Sequence, residues 1–311
     1  MMDYGAVLKR TWEITWKYKG LWVLGILAAC GNGGNGGGGG SGGRASSSIQ
    51  GDLGNAGANG LQHFFNNIPE ETLIIGAVVI VALLLVLALI FLVLGVIGQG
   101  GLIAGFNQAD EGADVNLAEA FSMGTHFFWR ILGLKLLLFI AGVVVAIGVL
   151  VITILTLGIG LFCLLCIGIP LLIAVGVYVT LTTVAIVVED LDVFQAFGRA
   201  WNVIRDNVGP VVIMGVILVI GSAIVGLVFA SPFIVILVPV ITALALGTQS
   251  AIGTGLLVGG ICLVLYIPVL IVLNGILTTY VMGAWTLTYR RLTGRPGMVP
   301  EAVPSVPAPS A

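Results

Sequence analysis

The side chains here that could carry chemistry are few: four cysteines, two histidines and fourteen acids in 311 residues. Cys163 and Cys166 form a CxxC, the spacing of dithiol redox pairs and of zinc ligands. Either role needs a neighbour that favours the thiolate, and IGLFCLLCIGIP offers no His, Lys or acid; the pair reads as two small residues in an apolar run. His63 and His126 each stand in a polar segment with no second ligand at metal-binding spacing, so both read as solvated surface residues. The Gly-rich stretch from Gly31 lacks the Lys and Ser/Thr that a phosphate loop places before a helix. The sequence therefore predicts no catalytic residue, no metal ligand and no cofactor, and a chain that is not an enzyme.

Within the apolar runs the strongest polar side chain is Asn274, with Thr278 one turn further on. Two such groups on one helix face are expected to form an interhelical polar contact; a pore lining is the competing reading. Ion-coupled transport leaves ionisable groups inside spans, where each is costly. None is found, since Lys135 lies two residues past Gly133 and can snorkel.

The elements that position these residues follow from composition. Hydrophobic residues make up 59% and charged residues 8% of the chain, and mean hydropathy is +1.16. Such values exclude a soluble domain and specify an all-α polytopic membrane bundle. The net charge of -2 gives no basic surface for nucleic acid. Cys30, Cys163, Cys166 and Cys262 lie in apolar or Gly-rich surroundings and suggest no disulfide framework.

Glu189 to Pro210, EDLDVFQAFGRAWNVIRDNVGP, is the longest polar interruption in the apolar half. As a helix from Asp192 it places Val193, Phe194, Phe197, Ala200, Trp201, Ile204 and Val208 on one face and Gln195, Arg199, Asn202 and Asp206 on the other. A helix lying in the membrane interface is expected, stopping at Gly209-Pro210. The pattern occurs three times. Asn116, Glu119, Ala120, Phe121 and Gly133 align with Asp192, Gln195, Ala196, Phe197 and Gly209, while Asp3, Leu8, Thr11, Trp12 and Gly20 align with Asp192, Phe197, Ala200, Trp201 and Gly209. Each copy is expected to start at an Asx N-cap, with Glu119 or Gln195 completing a capping box in two of them. Trp12, Phe121, Phe197 and Trp201 are the expected interfacial anchors. Lys9, Glu13 and Lys17 follow at i, i+4 along the wet side of the first helix.

Six spans are expected within a single domain, residues 1–293. Leu21 to Ala29 is short for a crossing and continues the helix before it. Residues 31–60 form a Gly-rich outer loop, and Leu61 to Glu71 a short helix at the outer surface. Thr72 to Gln108 carries no charge over 37 residues, about 55 Å of helix against a hydrocarbon core of about 30 Å, so it tilts, protrudes or breaks, most plainly at Gly98–Gly101. Gly101 and Gly105 also allow a close helix contact. Asn116 to Arg130 is the second interface helix. Residues 131–153 and 168–188 are the next spans, joined by a turn through 156–169. Pro210 to Ala230 is the fifth; Ser231 to Thr248, with Pro232 and Pro239, suits a re-entrant segment. Ala251 to Tyr289 is the sixth, kinked near Pro268. Residues 294–311, with five prolines, form a disordered tail.

With the N-terminus inside, Lys9, Arg10, Lys17, Lys19, Arg130, Lys135, Arg199, Arg205, Arg290, Arg291 and Arg295 are cytoplasmic and only Arg44 lies outside. A multi-pass protein of the cytoplasmic membrane with both termini inside is expected, and all six tryptophans fall near that face as an aromatic belt would. Leu27-Ala28-Ala29-Cys30-Gly31 has the look of a lipoprotein processing site, but the segment before it matches two internal copies; Cys30 is expected to carry no lipid.

The opening LKRTWEITWKYKGLWVLGILAACG, the VVEDLDVFQAFGRAWNVIRDNVGPV block and the closing AWTLTYRRL resemble an uncharacterised family of six-helix bacterial membrane proteins. That family is similar to the membrane domain attached to some glycerophosphodiester phosphodiesterases. The resemblance implies architecture and no activity, since the phosphodiesterase barrel with its His, Glu and metal-binding acids has no counterpart here. The expected function is a scaffold or accessory subunit whose partners are membrane lipid and other membrane or cytoplasmic proteins, with a transporter or lipid-handling protein as the alternative.

Overall fold

A computed structural model describes residues 3–31, 70–156, 159–246 and 249–295. Among the described residues the chain forms nine helices and no strand: α1 (Tyr4–Lys17), α2 (Gly20–Gly31), α3 (Glu70–Asp110), α4 (Leu117–His126), α5 (Phe128–Leu155), α6 (Ile159–Glu189), α7 (Val193–Asp206), α8 (Val208–Leu246) and α9 (Gln249–Leu292). Five of them, α3, α5, α6, α8 and α9, are long and apolar enough to cross a membrane, so the chain reads as a multi-pass membrane protein. The expected outer loop, the segment around His63 and the tail beyond Arg295 fall outside the described residues, as do the side chains of Cys163 and Cys166.

The first expected span is a separate helix. Tyr18 ends α1, its N–H bonded to Ile14 O, and α2 then runs for only 12 residues, about 18 Å. It is wedged between α3 and α9 by glycine. A Cβ on Gly25 would meet Thr279 Oγ1 at 1.9 Å and Gly275 O at 2.5 Å, and one on Gly31 would meet Gly95 Cα at 2.1 Å. Leu21, Leu24, Ala28 and Ala29 are buried there. Thr279 Oγ1 donates to Gly275 O at 2.9 Å, with Leu21 O of α2 a second acceptor at 3.3 Å.

Several expected breaks are absent. Gly98–Gly101 lies inside the 41-residue α3, and Glu70 opens that helix instead of closing a shorter one. These glycines allow backbone approach: a Cβ on Gly98 would sit 2.9 Å from Leu24 O, and one on Gly101 2.6 Å from Ala120 O. Gly105 likewise leaves room for Leu21 Cδ2, so the expected contact at Gly101 and Gly105 forms, toward α4 and α2. The turn expected through 156–169 is much shorter, because α6 already begins at Ile159 and carries Pro170 within it. Ser231 to Thr248 is no re-entrant segment either; α8 continues through Pro232 and Pro239 to Leu246. Proline at 232 removes the donor that would bond Val228 O, and the Ser231 hydroxyl donates to that oxygen at 2.8 Å. Pro268 lies within the 44-residue α9, inside the span to which the sequence assigns it.

The core occupies one end of the bundle. Residues 95–106 of α3, 181–187 of α6 and 281–290 of α9 are buried, whereas 78–92 of α3 and most of α5 are exposed apolar surface. A helix that is apolar all round and uncovered by protein needs an apolar solvent, which a bilayer supplies. Trp285 belongs to this core at 5% exposure, packed near Gly215, and is not part of a surface belt.

Candidate functional site: the charged end of the bundle

The buried end carries the polar side chains. At the end of α3, Asp110 is fully buried, and Arg290 near the end of α9 is 3% exposed. Arg290 Nε lies 3.1 Å from Asp110 Oδ2, a contact of charge without an aligned hydrogen bond. Its Nη1 donates to Asn107 O at 2.8 Å, to Glu111 Oε1 at 2.9 Å and to Asn107 Oδ1. Arg291 Nη2 stands 3.9 Å from Asp110 Oδ1. One planar guanidinium thus gathers the last turn of α3.

The preceding residue of α9 reaches the other way. Tyr289 Oη donates to Glu189 Oε1 at 3.0 Å, at the end of α6. Arg199 of α7 donates to the same carboxylate through Nε at 3.0 Å and Nη2 at 3.3 Å. Those hydrogen bonds hold the Arg199 guanidinium above its ordinary pKa against the opposing effect of desolvation. Arg295 Nη1 donates to Val188 O at 2.9 Å, a further tie between the chain beyond α9 and the end of α6. Arg130 pairs with Asp190 and, at 3.5 Å, with Asp192. Asp190 turns the chain with φ 55, the left-handed region that Asp tolerates better than most residues.

This engagement changes the expected caps. Asp3 accepts from Ala6 N at 3.1 Å and Asn116 from Ala118 N at 3.3 Å. Asp192 makes no side-chain cap, its carboxylate being paired with Arg130, and Glu119 accepts from Gln108 Nε2 at 3.2 Å instead of closing a capping box. Glu13 pairs with Arg10 at 3.7 Å, not with the lysines at i±4.

The three short helices bury small residues rather than their largest ones. Val7, Thr11 and Ile14 are buried in α1, Ala120 and Gly124 in α4, and Ala196, Ala200 and Val203 in α7. The second helix ends at His126, so Arg130 belongs to α5. His126 is exposed beside the Phe127 ring. Of the expected anchors, Phe121 and Phe197 are half-buried against the core, while Trp12 and Trp201 are 55% and 58% exposed. Trp12 contacts the rings of Trp16 and Tyr280 at 5.4 and 6.0 Å; Trp201 lies 6.3 Å from Tyr178, whose Oη donates to Phe197 O at 3.0 Å. Asn274 is half-buried, and Thr278 is buried with its Oγ1 lacking a hydrogen-bond partner. The interhelical bond at this level comes from Thr279.

Asp110, Glu189, Tyr289 and Arg290 are not among the site residues expected from the sequence. The available signal was charge of opposite sign closing two long uncharged runs, Asp110 after one and Arg290 after the other. Among the described residues no three His, Cys, Asp or Glu side chains converge as metal ligands. The carboxylates here are matched to guanidinium groups, an arrangement that fixes helix ends.

Residues 15–289 match a family of unknown function, DUF7544. No curated protein and no solved structure matches the chain. Nothing in these comparisons links it to the membrane domains of glycerophosphodiester phosphodiesterases.

Proposed function

The chain belongs to DUF7544, a family of unknown function, and from that premise we propose that it is a non-catalytic membrane bundle, a scaffold or accessory subunit, with three helices lying in the cytoplasmic interface. The observation that carries this reading is the distribution of side chains around α7. At about 100° per residue, buried Ala196, Ala200 and Val203 define one direction. Exposed Phe194 and Trp201 lie roughly 130–155° round from it, and Gln195, Arg199, Asn202 and Asp206 roughly 235–295° round. A helix in the interface plane needs these three environments: protein beside it, acyl chains beneath and water above. In α1, buried Val7, Thr11 and Ile14, exposed Trp12 and Trp16, and polar Lys9, Arg10, Glu13 and Lys17 follow in the same rotational order. That order, shared by α1 and α7, supports a repeated unit of interface helix and following span; our reading extends it to α4, takes α2 as a short sixth crossing and sets both termini on the cytoplasmic side from the bias of basic residues.

The partners of such a bundle are membrane lipid and other membrane or cytoplasmic proteins. Purification in mild detergent should retain a partner in fixed stoichiometry, and liposomes holding the pure chain should show no ion or solute flux above empty ones. Specific, saturable flux would replace the scaffold reading with a transporter.

A further inference from the structure

The three interface helices differ in charge. The α1 segment through Lys19 holds four basic and two acidic side chains; residues 107–130 hold four acids against one Arg, and residues 189–206 four acids against two. Both acids of the α1 segment are engaged, Asp3 in capping Ala6 N and Glu13 with Arg10. Lys9, Lys17 and Lys19 are exposed and form no ion pair among the described residues. Asp114 also approaches this corner, accepting from Tyr18 Oη at 3.4 Å, while Lys17 Nζ stands 5.0 Å over the Tyr18 ring.

Beside the lysines runs a chain of touching rings. Trp16 packs on Trp12 at 5.4 Å and on Trp22 at 5.1 Å, and Trp12 packs on Tyr280 of α9 at 6.0 Å. Trp22 spends its indole N–H on Thr15 O at 2.8 Å. Trp12 and Trp16, 55% and 45% exposed, donate no hydrogen bond among the described residues. The corner therefore presents three ammonium groups and two indole donors at the margin of an apolar aromatic shelf. We propose that this corner of α1 and α9 selects an anionic phospholipid, the phosphate held by Lys9, Lys17, Lys19 and the indoles, the acyl chains against Trp12, Trp16 and Tyr280. A bilayer would supply such a ligand with both its charge and its chains in the required order. A basic bias serving only to orient the chain would not require the excess in this one segment, while residues 107–130 and 189–206 each carry more acids than basic groups.

The inference rests on the in-plane reading of α1, and one experiment separates the two. The full chain is placed in nanodiscs of phosphatidylcholine containing a minor fraction of phosphatidylglycerol, with brominated acyl chains on one lipid or the other. The Trp12 and Trp16 signal is the difference between the native chain and its Trp12→Phe/Trp16→Phe variant. Quenching by brominated phosphatidylglycerol is expected to exceed its mole fraction by about fivefold or more, the order set by one well-placed basic residue. It should fall to the mole fraction in Lys9→Gln/Lys17→Gln/Lys19→Gln and in high salt, with quenching by brominated phosphatidylcholine retained. Quenching by both lipids in simple proportion would overturn the selectivity while leaving α1 in the interface. Enrichment that survives the triple variant and salt would also overturn it. Quenching by neither lipid would remove the in-plane reading itself.

Discussion

Replacing Arg290 with Ala should be the most damaging single change at the charged end. Arg290 and Asp110 are 3% and 0% exposed, and removal of the guanidinium strands a carboxylate that water cannot reach. Breaking a buried pair in this way costs about 3–5 kcal/mol. Arg291, 3.9 Å from Asp110 Oδ1, partly compensates, which places the expected loss at about 3 kcal/mol, more than a hundredfold in the folding equilibrium. Arg290→Lys keeps the charge but not the fork that reaches Asp110, Asn107 and Glu111 together, and should lose roughly 1.5–3 kcal/mol. The double variant Arg290→Met/Asp110→Leu removes both charges and should recover most of the loss. Equilibrium unfolding in mixed micelles with rising SDS fraction, followed by helical circular dichroism and by tryptophan fluorescence including buried Trp285, measures all three. A loss below about 0.5 kcal/mol for Arg290→Ala, or additive losses in the double variant, would refute the view that this pair clamps α3 to α9.

Gly25→Ala should destabilise by about 1–3 kcal/mol in the same assay, because its Cβ would overlap Thr279 Oγ1 and Gly275 O, whereas Gly198→Ala, with nothing within 4 Å, should be neutral or slightly stabilising. In a cysteine-free background, a cysteine at position 47 should react with an impermeant thiol reagent in intact cells and one at position 305 should not; reversed labelling would invert the proposed orientation. Intact mass should show Cys30 without added acyl mass and residues 1–29 retained, and the opposite result would make the chain a processed lipoprotein. Spin labels at 201 and 202 should divide, the first more accessible to oxygen and the second to a water-soluble relaxant, and equal accessibility would return α7 to an ordinary surface helix.

The apolar runs gave away the helices but not their ends. Three prolines that suggest a turn or a re-entrant segment, at 170, 232 and 239, lie inside helices, as Pro268 does within its expected span. In water a carbonyl freed by proline gains a solvent partner and the chain readily turns; in an apolar surrounding the helix is the cheaper host, and a neighbouring hydroxyl such as Ser231 can serve the freed oxygen. Caps were readable where the Asx side chain had no competing partner, as at Asp3 and Asn116, and misread at Asp192, where Arg130 takes the carboxylate. The clamp itself joins Asp110 to Arg290 and Glu189 to Tyr289, contacts made across about a hundred residues or more, which no local periodicity announces.

Glycine explains how so short a segment as α2 holds its place. A 12-residue helix rises about 18 Å against an acyl region of about 30 Å, so a crossing this short is not held in place by its own length. Its backbone instead approaches two neighbours at once, through Gly25 and Gly275 toward α9 and through Gly31, Gly95 and Gly98 toward α3. Close packing of this kind replaces the hydrophobic drive that is weak between helices already in lipid. The Thr279 hydroxyl adds a polar tie at the same crossing. Because α3 and α9 are the two helices joined by Arg290 at the charged end, loss of that clamp should loosen the slot in which α2 sits. Gly25→Ala and Arg290→Ala should therefore be less than additive, a coupling that two unrelated defects would not show.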